Sequence, residues 1–393
     1  MGSVITSIAR TPIGRYGGGF QSLSAVELGA LAMRGALERS GLPADQLDEI
    51  LFGHVIQAGA GQITARQAAA RADIPMTIPA TTINKVCLSG MTAIAAADKD
   101  VRLGEARFVM AGGMESMSNA PYLVPTARWG ARMGDTKMLD AMMQDGLWCS
   151  FDDCSMGESS DRKNGTLGVT REEQDEWSAQ SHARAAEATA SGHFAGEIVP
   201  VSVPQRKGDP VEIAADEGIR EGVTAESLGR LRPAFLKDGT ITAGNASQIS
   251  DGAAAVVVAD RAAAESAGLP IVAEILGYGQ MAGPDATLHE RPAEALMIAL
   301  QQAALTPADL DLVELNEAFA AVGIWSMKML DLPGDKVNVH GGAVALGHPL
   351  GATGARIVVT LINALRARGG GVGGAALCGG GGQGDALVVK VEG

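Results

Sequence analysis

The sequence predicts an α/β protein built from two similar halves. Two observations carry this reading: strand-like apolar runs alternate with segments of helical spacing, and stretches of the first third recur in the last third in the same order. PADQLDEILFGHV (43–55) matches PADLDLVELNEA (307–318) with one gap, each behind a helical segment, GALERSGL (35–42) and IALQQAAL (298–305). Farther on, Cys87-Leu88-Ser89-Gly90 aligns with His348-Pro349-Leu350-Gly351, and VMAGG (109–113) with ALCGG (376–380). If the halves face each other, equivalent loops meet at one site and Cys87 stands opposite His348.

Each element has its own signal. Residues 24–40 carry apolar positions at helical spacing, with Ser24 as N-cap and Glu27 three residues on, a capping box. Residues 47–57 and 106–112 read as short buried strands, and 89–103 as a helix beginning directly after Cys87-Leu88. Residues 119–170, with Pro, Gly, Met and Asp and little regular pattern, read as an excursion with short helices. Residues 171–190 read as a charged helix. Residues 197–250 hold Pro, Gly and several basic residues, and strand and helix signals resume after Asp251. The expected division is a first α/β half over 1–118, an inserted loop domain over 119–250 whose last residues return to that half, its end and a linker over 251–270, and a second α/β half over 271–393.

Composition excludes several classes. Of 393 residues 52 are Gly, but without a G-X-Y period, so a collagen-like fibre is excluded; with 46% hydrophobic residues there is ample material for a core. The net charge of −14 argues against binding nucleic acid, while leaving room for a local basic pocket. Four cysteines do not make a disulfide framework and point to a reduced compartment, the cytoplasm. MGSVITSIARTPIGR lacks an apolar signal core, and no run of apolar residues reaches the length of a membrane span. Cys149 and Cys154, with no His between them and no second pair, are a poor metal signal, so no metal is expected. The glycines at 379–384 precede a strand, the reverse of a dinucleotide fingerprint.

Four residues are placed for chemistry. Cys87, in TINKVCLSGM, sits at a helix N-terminus, where unpaired N–H groups favour thiolate; a buried structural cysteine is the plain alternative. His348, in GGAVALGHPLGATG, stands before another helix and could take a proton from a thiol, or could simply bond the backbone of a turn. Cys378 ends an apolar run and enters GGGGQGDA, which suits an acid/base as well as a small core residue. Asn316, in VELNEAFA, could donate to an oxyanion directly or through water, or cap a helix.

Taken together, NKVCLSG, AGGMESMS, GNASQISDGAAA, NEAFA, GGAVALGHPLGATG and CGGGGQG, in this order and nearly end to end, resemble the thiolases, the acetyl-CoA acetyltransferases and 3-ketoacyl-CoA thiolases. The resemblance implies a five-layered αβαβα fold of two duplicated halves with an inserted loop domain. It implies no permanently bound cofactor, with acyl-CoA and coenzyme A as substrates. Cys87 would take the acyl group and Cys378 would abstract the α-proton of a second acetyl-CoA. His348 would activate Cys87 and, with a water held by Asn316, stabilise the enolate; the N–H groups of Cys87 and Gly380 would form a second oxyanion hole. Two acetyl-CoA giving acetoacetyl-CoA is the favoured reaction, with thiolysis of longer 3-ketoacyl-CoA in fatty-acid metabolism as the alternative. Ser247 would touch the pantetheine arm, and Arg220 and Ser227 the nucleotide end. A homodimer, often paired into a homotetramer through the loop domain, is also implied. Three departures bear on acyl-chain preference: Ser155 replaces the His that usually precedes Met-Gly, ESSDRKN (158–164) replaces a pattern tending to TAEN, and LHERP (288–292) stands where many members have MGxGP.

Overall fold

The computed structural model describes residues 2–393. Strands β1 (Ser3–Arg10), β2 (Glu49–Gly53), β3 (Ala80–Ile83), β4 (Phe108–Ser116) and β5 (Ser250–Asp260) form one half-sheet; β6 (Ala273–Ala282), β7 (Leu312–Leu315), β8 (Gly371–Gly379) and β9 (Gln383–Val391) form the other. The hydrogen-bonded order is β3-β2-β4-β5-β1 and then β6-β9-β8-β7. The same pairing occurs twice: β2–β4 and β7–β8 are parallel, while β4–β5–β1 and β8–β9–β6 are antiparallel. The first strands of the two halves meet antiparallel, Val4 opposite Glu274 and Ile5 opposite Ala273. Where β3 flanks β2, the second half has only an isolated parallel bridge from Val337 to Val313.

Eight helices position the site: α1 (Ala25–Ser40), α2 (Thr64–Arg71), α3 (Ser89–Leu103), α4 (Met156–Leu167), α5 (Arg171–Ala190), α6 (Arg291–Gln302), α7 (Ala320–Met329) and α8 (Leu350–Ala367). Helix α1 covers the outer face of the first half-sheet and α6 that of the second, while α3 and α8 pack together between the two. The layers therefore run α, β, α, β, α. Strand periodicity explains why both faces are buried. In β5, Ala254, Val256 and Val258 join the central cluster with Ile94 and Val358, while Ala255, Val257 and Ala259 join the outer cluster with Leu28 and Met33. In β9, Leu387 and Val389 point to the centre, and Ala386 and Val388 point outward against Leu296.

The sequence signals for helices are met closely. Ser24 and Glu27 make the reciprocal capping box of α1, and α3 and α5 span 89–103 and 171–190. The strand expected over 47–57 is shorter, because it stops at Gly53. Val55 and Ile56 donate their N–H groups to the buried Glu115 carboxylate, each at 3.1 Å, instead of to a neighbouring strand. The central helices approach closely: a Cβ on Gly90 would lie 2.8 Å from Ala355 N. Both helices begin at equivalent points, α3 just after Cys87 and α8 just after His348. The symmetry thus aims two helix N-termini at one place.

Candidate active site

Cys87 lies in a tight loop between β3 and α3. Val86 before it has φ +50, a left-handed conformation unusual for a β-branched residue. Polar contacts hold that strain: Asn84 Oδ1 accepts from Val86 N at 3.1 Å, Lys85 N donates to Ser89 Oγ at 2.8 Å, and Ser89 Oγ donates to Val86 O at 2.6 Å. The loop therefore presents the half-buried Cys87 thiol forward.

His348 faces it. Nε2 of His348 is 3.3 Å from Cys87 Sγ, and Nδ1 is 2.7 Å from Thr353 Oγ1. Thr353 Oγ1 donates to Pro349 O at 2.9 Å, so its lone pair must accept a proton from Nδ1. Nε2 is then unprotonated and free to accept the Cys87 proton. Burial, with help from the Arg356 guanidinium, pushes the His348 imidazole down to about 3. Burial pushes the Cys87 thiol up to about 12, against the pull of the backbone N–H groups of Cys87 and Gly380. The resting pair is a neutral thiol beside a neutral imidazole.

Cys378 is the last residue but one of β8, opposite Gly384 of β9, and the hairpin between them turns through Gly381 and Gly382 at positive φ. A Cβ on Gly382 would collide with Asp285 O. Burial raises the Cys378 thiol above its ordinary range, and charge on Cys87 raises it further. Cys87, His348, Cys378, Gly380 and Ser247 line one cavity, whose other walls are largely apolar: Leu147, Met156, Leu288 and Phe319 among them. Asn316 follows β7 and is fully buried, and neither polar atom of its amide has a protein partner.

The remaining expected residues lie elsewhere. Arg220 is exposed, and its guanidinium is 3.2 Å from His182 Nε2. Ser227 is exposed and bonds Thr224 in a capping box. Neither lines the cavity.

Several supporting residues escaped the sequence reading. Glu317 Oε1 accepts from Trp177 Nε1 and Asn338 Nδ2, and Oε2 from Ser181 Oγ and Val344 N, all within 2.9 Å. It ties α5 and the short helical turn Ala343–Leu346 before His348 to the end of β7, next to Asn316. Glu115 accepts from Gly351 N at 2.9 Å, which anchors the start of α8. Lys85 Nζ pairs with the buried Asp385 at 2.7 Å, and Thr92 Oγ1 donates to the other oxygen of the same carboxylate at 2.7 Å. That pair joins the Cys87 loop to β9, the partner strand of Cys378. The departures ESSDRKN and LHERP meet as well. Asn164 Oδ1 is 2.7 Å from His289 Nε2, and Lys163 Nζ is 2.9 Å from Glu290. These contacts strap α4, which begins at Met156, to the segment carrying Leu288. The spacing of GHPLGAT could have pointed to Thr353, in the first turn of α8; nothing local pointed to the others.

Two family models match the chain: "Thiolase, N-terminal domain" over residues 3–262 and "Thiolase, C-terminal domain" over residues 269–391. A "Probable acetyl-CoA acetyltransferase" of Mycolicibacterium smegmatis is 52% identical over 387 residues, 98% of this chain and 100% of its own length. The "Acetyl-CoA acetyltransferase" of Cupriavidus necator is 46% identical over 387 residues, 98% of each chain. The crystal structure of the Bacillus anthracis acetyl-CoA acetyltransferase matches with a TM-score of 0.95 at 40% identity, covering 99% of this chain and 98% of that one.

Proposed function

The chain belongs to the thiolase family, an acyltransferase acting on acetyl-CoA, and from that premise we propose that it joins two acetyl-CoA into acetoacetyl-CoA and coenzyme A by a ping-pong Claisen condensation, and runs the reverse thiolysis. The observation that carries the residue assignment is the 3.3 Å approach of His348 Nε2 to Cys87 Sγ in the cavity that also holds Cys378.

Each step has a residue and a proton path. Cys87 attacks the thioester carbon as its proton passes to His348 Nε2. The N–H groups of Cys87 and Gly380 receive the charge that develops on the carbonyl oxygen; donors of this kind are worth about 3–4 kcal/mol each. The departing coenzyme A sulfur takes the Cys378 proton and leaves as a thiol. The site now holds an acyl-Cys87, an imidazolium and a Cys378 thiolate. Cys378 removes the α-proton of the second acetyl-CoA. The enolate oxygen is stabilised by His348 Nε2–H and by a water held on the Asn316 amide, whose burial without a protein partner fits that duty. The enolate carbon attacks the acyl group, and Cys87 leaves and recovers its proton from His348. All three groups return to their starting states.

Ser247 lines the cavity and suits contact with the pantetheine arm. Arg220 and Ser227, exposed in the 197–250 stretch, are assigned to the nucleotide end. The exposed apolar side chains of the excursion, Tyr122, Trp129 (83% exposed), Met133 and Met138, suit pairing of dimers into a homotetramer. Four free cysteines suit the reduced cytoplasm, and acyl-CoA substrates suit a part in fatty-acid metabolism. The direct test is loss of acetoacetyl-CoA enolate absorbance on adding coenzyme A. No loss with acetoacetyl-CoA or any longer 3-ketoacyl-CoA would overturn the proposal.

A further inference from the structure

Two of the four cysteines take no part in this chemistry. Cys149 and Cys154 face each other as direct partners in the hairpin formed by Trp148–Cys149 and Cys154–Ser155. Direct partners in an antiparallel pair stand about 4.5–5.5 Å apart at Cα and send their side chains to the same face. A disulfide bridges Cα atoms about 4.4–6.8 Å apart, so this register needs no backbone movement to be cross-linked. Both side chains are buried, 2% and 4% exposed, and both are free thiols. Asp152 N donates to Cys149 Sγ at 3.4 Å, which turns that sulfur into the hairpin. The turn between them, Ser150, Phe151, Asp152 and Asp153, is exposed, so local opening of four residues uncovers the sulfurs.

The hairpin is bracketed by two residues of the cavity wall. Leu147 just before it and Met156 just after it line the cavity. At its tip the Phe151 ring stands 3.0 Å from where a Cβ on Gly381 would be, one residue from Gly380.

We propose that Cys149 and Cys154 are a redox modification site: a dithiol that closes to a disulfide and pins the hairpin between Leu147 and Met156. A low-molecular-weight disulfide such as oxidised glutathione is the oxidant. One cysteine thiolate attacks it, forming a mixed disulfide and releasing one glutathione thiol. The second thiolate attacks the cysteine sulfur of that mixed disulfide, forms the Cys149–Cys154 bond and releases the second glutathione thiol. Two electrons and two protons pass from the protein to glutathione, and a dithiol reductant reverses the change. The proposal rests on the hairpin and not on the reaction assigned to Cys87.

The test is mass spectrometry of the whole protein equilibrated in glutathione buffers of increasing oxidised fraction, acid-quenched, alkylated and cut with trypsin. Cleavage after Lys137 and Arg162 puts both cysteines in one peptide, 138–162, while Cys87 falls in 86–99 and Cys378 in 369–390. The expected result is that peptide 138–162 becomes lighter by two hydrogens and resists alkylation, and that dithiothreitol restores it. Cys149→Ser and Cys154→Ser should each abolish the shift. Peptide 138–162 with both thiols free across the series, with a stable glutathione adduct, or cross-linked to Cys87 or Cys378 would overturn the proposal.

Discussion

The Thr353 hydroxyl fixes which nitrogen of His348 faces Cys87. It spends its own proton on Pro349 O and so can only accept from Nδ1, 2.7 Å away, leaving Nε2 as the base toward the thiol. Thr353→Val removes that acceptor and strands a buried N–H, at a cost of about 1–3 kcal/mol. The acyl transfer to Cys87 should slow by roughly tenfold to a hundredfold, read as the burst of coenzyme A release, whereas Thr353→Ser should stay near wild type. An unchanged burst in the valine variant would contradict the assigned tautomer.

Cys378 and Cys87 share one cavity, and the proposed mechanism gives them different duties. Cys378→Ala should still accept an acetyl group on Cys87, more slowly because the departing coenzyme A sulfur loses its proton donor, while acetoacetyl-CoA synthesis falls by at least about a hundredfold, since general-base removal typically costs 10²–10⁴. Labelling and turnover are measured on the same preparation. Parallel loss of both would refute the role given to Cys378.

The contact between Asn164 and His289 holds Met156 and Leu288 as walls of the acyl pocket. His289→Ala should loosen that strap and favour longer chains. The ratio of kcat/KM for a six-carbon 3-ketoacyl-CoA to that for acetoacetyl-CoA should rise about tenfold, corresponding to about 1.4 kcal/mol. A fall of both values by the same factor would mean that the strap serves stability alone.

Glu115 links the start of α8 to the Val55–Ile56 backbone, and burial lifts its carboxyl from 4.5 to about 7 against the pull of those N–H groups. The folded chain thus keeps a proton that the unfolded chain releases from about pH 4.5 upward. Its contribution to stability is full below that pH, declines as pH rises toward 7 and then levels off. Urea unfolding of wild type should lose about 3 kcal/mol relative to Glu115→Gln between pH 4.5 and pH 8. The slope is the readout, because glutamine also changes the local hydrogen bonds. Parallel pH curves would contradict the raised carboxyl.

The exposed Trp129 and Met133 side chains are the proposed contact between dimers. Trp129→Ser with Met133→Ser should reduce the mass in solution, measured by light scattering, from that of a tetramer to that of a dimer, with acetyl labelling of Cys87 retained. An unchanged mass would place the contact elsewhere.

What the sequence made legible was local or repeated. The Ser24–Glu27 box and the helices over 89–103 and 171–190 follow from capping and periodicity within one segment. The repeat between the Cys87 and His348 loops anticipated that two helix N-termini converge. Features that depend on distant partners were hidden: β2 stops at Gly53 because a carboxylate on β4 takes the next N–H groups, and Lys85 meets Asp385 only because the halves face each other. The two segments that depart from the family pattern gave no sign of being hydrogen-bonded to each other. The many glycines have a physical reason at positions such as Gly90, where α3 and α8 leave no room for a side chain.

The most direct test of the central claim is the site of the acyl group. Protein mixed briefly with acetyl-CoA, acid-quenched and digested should carry one acetyl group, on peptide 86–99, which contains Cys87. The adduct should disappear on adding coenzyme A and be absent in Cys87→Ala. An acetyl group on peptide 369–390 instead, or acetylation that persists in Cys87→Ala, would contradict the account.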